Sequence, residues 1–129
     1  MSYYISRSLR RPFEDVVTDV VGRLKEQGFG VLTDIDIQAT LKSKIGADIP
    51  RYRILGACNP GFAHEALKLE DKLGVLLPCN VIVRDAGAGV VEVASIDPVA
   101  QMEKTGNAAL AATAVEVRRR LETAIGALA

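Results

Sequence analysis

Two cysteines, each followed by an asparagine, are the residues of this chain best suited to chemistry. Cys58-Asn59 is followed by Pro60, and Cys79-Asn80 is preceded by Pro78. Both pairs, together with His64, the only histidine, fall between Tyr52 and Asp85. A thiolate can act as a nucleophile or carry a sulfur atom, and a second thiol nearby can resolve what it forms. Cys58 ends an expected strand and stands immediately before an expected helix. Asn59 suits the N-cap of that helix and Pro60 its first position. Unpaired N–H groups and the helix dipole at such an end favour a thiolate. Cys58 is therefore the candidate nucleophile and Cys79 its candidate partner. The plainer reading is that both are small buried hydrophobes, as most free cysteines are.

Whether the two thiols can meet depends on strand direction. If the strand ending at Cys58 and the strand starting at Cys79 are antiparallel neighbours, both cysteines lie at one end of the sheet. Parallel strands would separate them by about 15 Å at ~3.3 Å per residue. The antiparallel case is expected. Asn59, Asn80 and His64 are then candidate ligand-binding residues at that end. Each also has a structural use: Asn59 as a cap, Asn80 satisfying backbone groups where a loop enters a strand, His64 as a surface residue. A Cys-His pair could support nucleophilic catalysis, but the spacing does not aim His64 at Cys58 and no third residue orients it. Two cysteines twenty-one residues apart and one histidine lack the paired spacing of a zinc site. The chain has no phosphate loop, dinucleotide fingerprint or Gly-x-Ser-x-Gly elbow. No metal and no cofactor are implied.

The elements that must position these residues are legible from periodicity. Ser2 to Ser6 suits a short strand. Pro12 opens a helix in which Phe13, Val16, Val17, Val20, Val21 and Leu24 mark one buried face, and Gly28 stops it. Phe29 to Ile35 is a second strand. Asp36 caps a short helix with Ile37, Leu41 and Ile45 on one stripe, ended by Gly46. Arg51 to Ala57 is a third strand, with Tyr52, Ile54 and Gly56 on one face. A helix from about Gly61 to Leu69 follows, burying Phe62, Ala63, Ala66 and Leu67. Leu73 to Leu77 is expected to be a buried loop or pocket wall. Asn80 to Arg84, a loop over Asp85 to Gly89, and Val90 to Ile96 form a hairpin. Asp97-Pro98 starts a helical turn through Met102. From Asn107 a long helix carries Leu110, Ala114, Val117, Leu121, Ile125 and Leu128 on one face. A second face of Ala108, Ala111, Ala112 and Val115 is expected to meet another helix or, preferably, a second subunit. Arg118, Arg119 and Arg120 read as a solvated face. The order predicts an α+β fold of two layers, helices packed on a mainly antiparallel sheet.

The chain of 129 residues fits one domain, 1–129. Aromatic residues are only 5%, so its core must come from Val, Ile, Leu and Ala. Sixteen basic and sixteen acidic side chains balance, without the basic excess of a nucleic-acid binder. Met1 to Arg11 has no apolar signal-peptide region, and no segment approaches the ~20 apolar residues that span a bilayer. A cytoplasmic protein is expected, with free thiols rather than a disulfide.

Four phrases carry a resemblance to a known family. They are Tyr52-Arg53-Ile54-Leu55-Gly56-Ala57-Cys58-Asn59-Pro60, Ala63-His64 with Ala66-Leu67, Leu76-Leu77-Pro78-Cys79-Asn80, and Ile96-Asp97-Pro98. The sequence resembles the prokaryotic family called domain of unknown function 302 over nearly its whole length. That resemblance implies a TATA-binding-protein-like topology and a homodimer, but no function. Fold alone does not make the chain a DNA binder. Two functional expectations follow from the residues. The first is a dimeric small-molecule-binding module with its site at the Cys58-Asn59/Cys79-Asn80 end of the sheet. The alternative is a thiol enzyme or persulfide carrier using Cys58 with Cys79.

Overall fold

The computed structural model describes residues 2–129. Met1, the first residue of the Met1 to Arg11 stretch, lies outside them. Five strands form one sheet: β1 (Tyr4–Leu9), β2 (Gly30–Asp36), β3 (Tyr52–Cys58), β4 (Cys79–Gly87) and β5 (Val90–Ile96). Their order is β1-β5-β4-β3-β2, and every neighbouring pair is antiparallel. The helices are α1 (Phe13–Glu26), α2 (Ile37–Ile45), α3 (Pro60–Leu69), α4 (Pro98–Glu103) and α5 (Ala111–Gly126). The arrangement is the expected two-layer α+β fold.

Side-chain alternation gives the sheet two different faces. Val81 and Val83 from β4, Val91 and Val93 from β5, and Leu55 from β3 are all buried. Burying each such side chain is worth roughly 1.5–3 kcal/mol. The helices α1 and α5 provide the cover. Val16, Val20 and Leu24 come down from α1, and Val117, Leu121 and Ile125 from α5, into one continuous core. Val21 is the exception on the α1 stripe; it lies at the rim and is partly exposed. Gly28 closes α1 with a left-handed backbone, φ 85°.

A second, smaller core lies beside the first. Ala66 of α3, Leu73, Met102 of α4, Leu110 and Ala114 pack together, with Leu76, Leu77 and Val99 against them. The stretch read as a loop is here a 3-10 turn, Leu73–Leu76. It buries Leu73 and turns Val75 out to solvent, so only part of it acts as a wall. The long helix also starts later than periodicity implies. A 3-10 turn at Ala108–Leu110 precedes α5, capped by Asn107, whose side chain accepts from the Ala109 N–H.

Strand limits moved for reasons that lie in the partner strand. β1 runs to Leu9 because β5 pairs with it from Tyr4↔Ile96 to Leu9↔Val91. Arg7 is tolerated there because its guanidinium donates to the Gly126 carbonyl at 2.7 Å. The expected small-residue face is not covered by the described residues: Ala108 in the 3-10 turn and Ala111, Ala112 and Val115 on α5 are exposed. Among the described residues no helix is long and apolar enough to cross a membrane.

Gly56 is the most closely approached glycine of the sheet. A Cβ there would lie 2.2 Å from Thr33 Oγ1 and 2.8 Å from Pro78 Cγ. The proline ring is fixed and threonine is stiff at χ1. Gly56→Ala should therefore cost about 1–3 kcal/mol in urea unfolding. An unchanged midpoint and slope would show that β2 and Pro78 move aside freely.

Candidate functional site

The register of β3 against β4 decides the site. Ala57 stands opposite Cys79, so Cys58 is the diagonal neighbour of Cys79 at one end of the sheet. Diagonal neighbours on adjacent strands have Cα atoms about 6 Å apart. Both thiols are free; Cys58 is half-buried and Cys79 buried.

They share a cavity at the seam between the two cores. Its volume is about 30 Å³. Ala57, Cys79 and Val117 line it from the large core and Ala66, Leu77 and Met102 from the small one. Cys58, Asn59 and Phe62 complete the wall on the helix side. The surroundings are almost wholly apolar, and they act on the thiols unequally. Burial pushes the Cys79 thiol up from 9.0 to about 11, and the charge of Cys58 beside it adds to the shift. At neutral pH Cys79 holds its proton. Cys58 is the more accessible thiol of the two.

Asn59 caps α3 as its type and place imply. Its side-chain oxygen accepts from the Phe62 N–H at 3.4 Å, and Pro60 occupies the first turn. Asp97, in the fourth family phrase, also caps: its carboxylate accepts from Val99 N–H at 2.9 Å and starts α4. Among the described residues no group of three or more His, Cys, Asp and Glu could hold a metal ion.

Asn80 and His64 do not join the thiols. Asn80 follows Cys79 directly on β4, so alternation turns it to the opposite face of the sheet. It is exposed there, in a wide recess of about 610 Å³ that also holds Tyr3, Tyr4, Tyr52 and Arg84. Arg84 is paired in that recess with Glu92 at 2.7 Å. His64 is exposed on α3 and does not line the thiol cavity. The two Cys-Asn phrases look alike in sequence but present different groups: the first contributes both residues to the cavity, the second only its cysteine.

The structure adds Arg120, which the sequence placed on a solvated face. Arg118 and Arg119 are exposed, but Arg120 is half-buried. Its guanidinium lies 5.0 Å from the Phe62 ring centroid and donates through Nη1 to the Gln27 carbonyl at 3.1 Å. A signal was present: Arg120 flanks the buried stripe, one residue before Leu121 and three after Val117.

Fold and site together define a two-layer α+β protein with two free thiols in a small seam between its cores. The family model for domain of unknown function DUF302 matches residues 5–128, and the chain belongs to that family. No curated protein matches the sequence. Among solved structures the chain is similar to the uncharacterized conserved protein DUF302 from Bacillus stearothermophilus. The two are 24% identical, the superposition has a TM-score of 0.90, and it covers 98% of each chain. At that identity the likeness speaks for the fold.

The raised Cys79 links stability to alkaline pH. The folded thiol stays protonated up to about pH 11, whereas the unfolded one ionises near 9.0. Its contribution is fully present below pH 9 and is lost as pH rises towards 11. The difference in unfolding free energy between the wild type and Cys79→Ala should shrink by about 2 kcal/mol between about pH 8 and about pH 10.5. Urea titrations at both pH values measure it, and a difference independent of pH would mean the thiol is not desolvated.

Proposed function

We propose that the protein is a thiol module in which Cys58 carries a sulfur atom as a persulfide, with Cys79 as a protonated neighbour. The observation that carries this reading is the size of the cavity beside two free thiols. About 30 Å³ is the room taken by one water molecule, whereas ligand pockets run to ~300 Å³ and more. A single added sulfur or oxygen atom fits that scale; an organic ligand does not.

The chemistry balances without an oxidant. The Cys58 thiolate attacks the outer sulfur of a low-molecular-weight hydropersulfide. The S–S bond of the donor breaks, its thiolate leaves, and Cys58 retains an –S–SH group. A second thiolate, from an acceptor, reverses the step and takes the sulfur away. Cys79 would resolve an oxidised Cys58 to a disulfide only slowly, because a thiol titrating near 11 is almost entirely protonated at neutral pH. A reducing cytoplasmic setting agrees with two free cysteines.

A second reading has one observation in its favour. The recess around Asn80 on the open sheet face, about 610 Å³, has the dimensions of a small-molecule site. There Asn80 and Arg84 would supply the polar contacts and the tyrosines the apolar ones. His64 has a part in neither reading. We also propose that the protein works as a homodimer, supported by the uncovered face of Ala111, Ala112 and Val115 on α5 and of Ala108 in the turn before it. Sedimentation velocity tests this: the wild type should run as a dimer at micromolar concentration and Ala111→Arg as a monomer. A monomeric wild type removes the proposal.

The thiol reading is tested on the native protein with a neutral alkylating reagent and, separately, with an organic hydropersulfide, each read by mass spectrometry. Cys58 should be alkylated at neutral pH at least ~100-fold faster than Cys79, which is buried and holds its proton. The hydropersulfide should add one sulfur atom, lost in Cys58→Ser and kept in Cys79→Ser. If neither thiol reacts until the protein unfolds, the thiols are structural and this reading fails.

A further inference from the structure

We infer that Arg120 and Asn59 form an anion-recognition pair beside the Phe62 wall of the Cys58 cavity, so that the thiol's reaction partner is a small sulfur compound bearing a carboxylate or another oxyanion. This rests on the thiol reading above and specifies its substrate class.

The pair is held together by the backbone of Gly28. A Cβ built on Gly28 would lie 2.9 Å from Asn59 Nδ2 and 3.5 Å from Arg120 Nη1. Two side-chain nitrogens, one from the cap of α3 and one from α5, thus come together over the same glycine, Arg120 Nη1 while it donates to the neighbouring Gln27 carbonyl. Gly28 sits two residues before Gly30, which pairs with Cys58 across β2 and β3. Phe62 joins the two features. Its ring forms part of the wall of the thiol cavity and is also the platform for the Arg120 guanidinium, at 5.0 Å.

The donors have capacity to spare. Asn59 uses its oxygen for the helix cap, and among the described residues its Nδ2 makes no hydrogen bond. Arg120 uses Nη1 for Gln27 and Nε for Glu116 at 3.1 Å, and among the described residues Nη2 makes none. The ion pair does not cancel its charge. Glu116 is shared, accepting from Arg119 at 2.9 and 2.7 Å as well. Two guanidiniums therefore face one carboxylate, leaving a net positive charge at this corner. Arg118 is turned elsewhere, to Glu122 at 3.0 Å and Asp97 at 3.5 Å. Planar guanidinium and amide donors side by side suit an oxyanion, for which charge-assisted bonds are about twice as strong as neutral ones.

The test compares two alkylating reagents of similar size on native protein at low ionic strength: iodoacetate, an anion, and iodoacetamide, which is neutral. The readout is the ratio of their rates at Cys58. Arg120→Gln should lower the anion-to-neutral ratio about tenfold, and Arg120→Lys should restore much of it. Glu116→Gln, which removes the competing carboxylate and leaves the Phe62 contact in place, should raise the ratio. Added salt should shrink the wild-type preference. A ratio within twofold of the wild type in both Arg120→Gln and Glu116→Gln overturns the inference, even where both rates change together. Failure of iodoacetamide to modify wild-type Cys58 is a different result: it removes the thiol reading and this inference with it.

Discussion

The pairing of β3 with β4 is the constraint on which the rest of the molecule depends. Leu55 meets Val81 and Ala57 meets Cys79 across that ladder. A slip of one residue would turn Val81, Val83 and Cys79 to the open face and bring Asn80, Ile82 and Arg84 under the helices. Several buried aliphatic side chains at roughly 1.5–3 kcal/mol each oppose that slip. The same register places Cys58 and Cys79 diagonally. Geometry at the thiols is thus fixed by hydrophobic burial some distance away. Gly56 guards the register from the other side, because only a residue without a Cβ fits between Thr33 and Pro78.

The seam between the two cores explains the character of the site. Neither core closes completely over the end of the sheet, and the gap is lined from both. A small apolar gap cannot hold a hydrated ligand, but it desolvates a thiol strongly. Cys79 is pushed up to about 11 mainly for that reason. Cys58, at the edge of the gap and at the start of α3, keeps contact with solvent. Two cysteines on adjacent strands therefore meet different surroundings, Cys79 buried and Cys58 half-buried at the edge of the gap.

Much of this could be read from the sequence, and the failures have physical causes. The six residues from Leu110 to Leu128 expected on one face of the long helix are all buried, although Leu110 and Leu128 lie just outside α5, because a stripe that regular has few alternatives. The cap at Asn59 follows from local signals, whereas the antiparallel pairing that brings Cys58 beside Cys79 is a matter of topology, met here as expected. Asn80 shares a phrase with Cys79 but not its face: the strand period of two turns it to the open side, which the repeat of Cys-Asn does not reveal. Arg120 was lost in a run of three arginines whose average is solvent-exposed; one of the three sits at the edge of a buried stripe, and only tertiary packing shows what lies across from it. The limits of β1 depended on the length of β5, which no local window contains.

All three tyrosines of the chain line the uncovered face of the sheet, and there is no tryptophan. The three phenylalanines lie on the other side: Phe13 and Phe29 in the main core, Phe62 packed against it. The molecule is therefore optically one-sided. Its intrinsic near-ultraviolet emission comes from chromophores on the open face, while the helical layer and the thiol seam contribute almost nothing to it. Light absorbed by this protein reports on the half of the sheet that the helices leave bare.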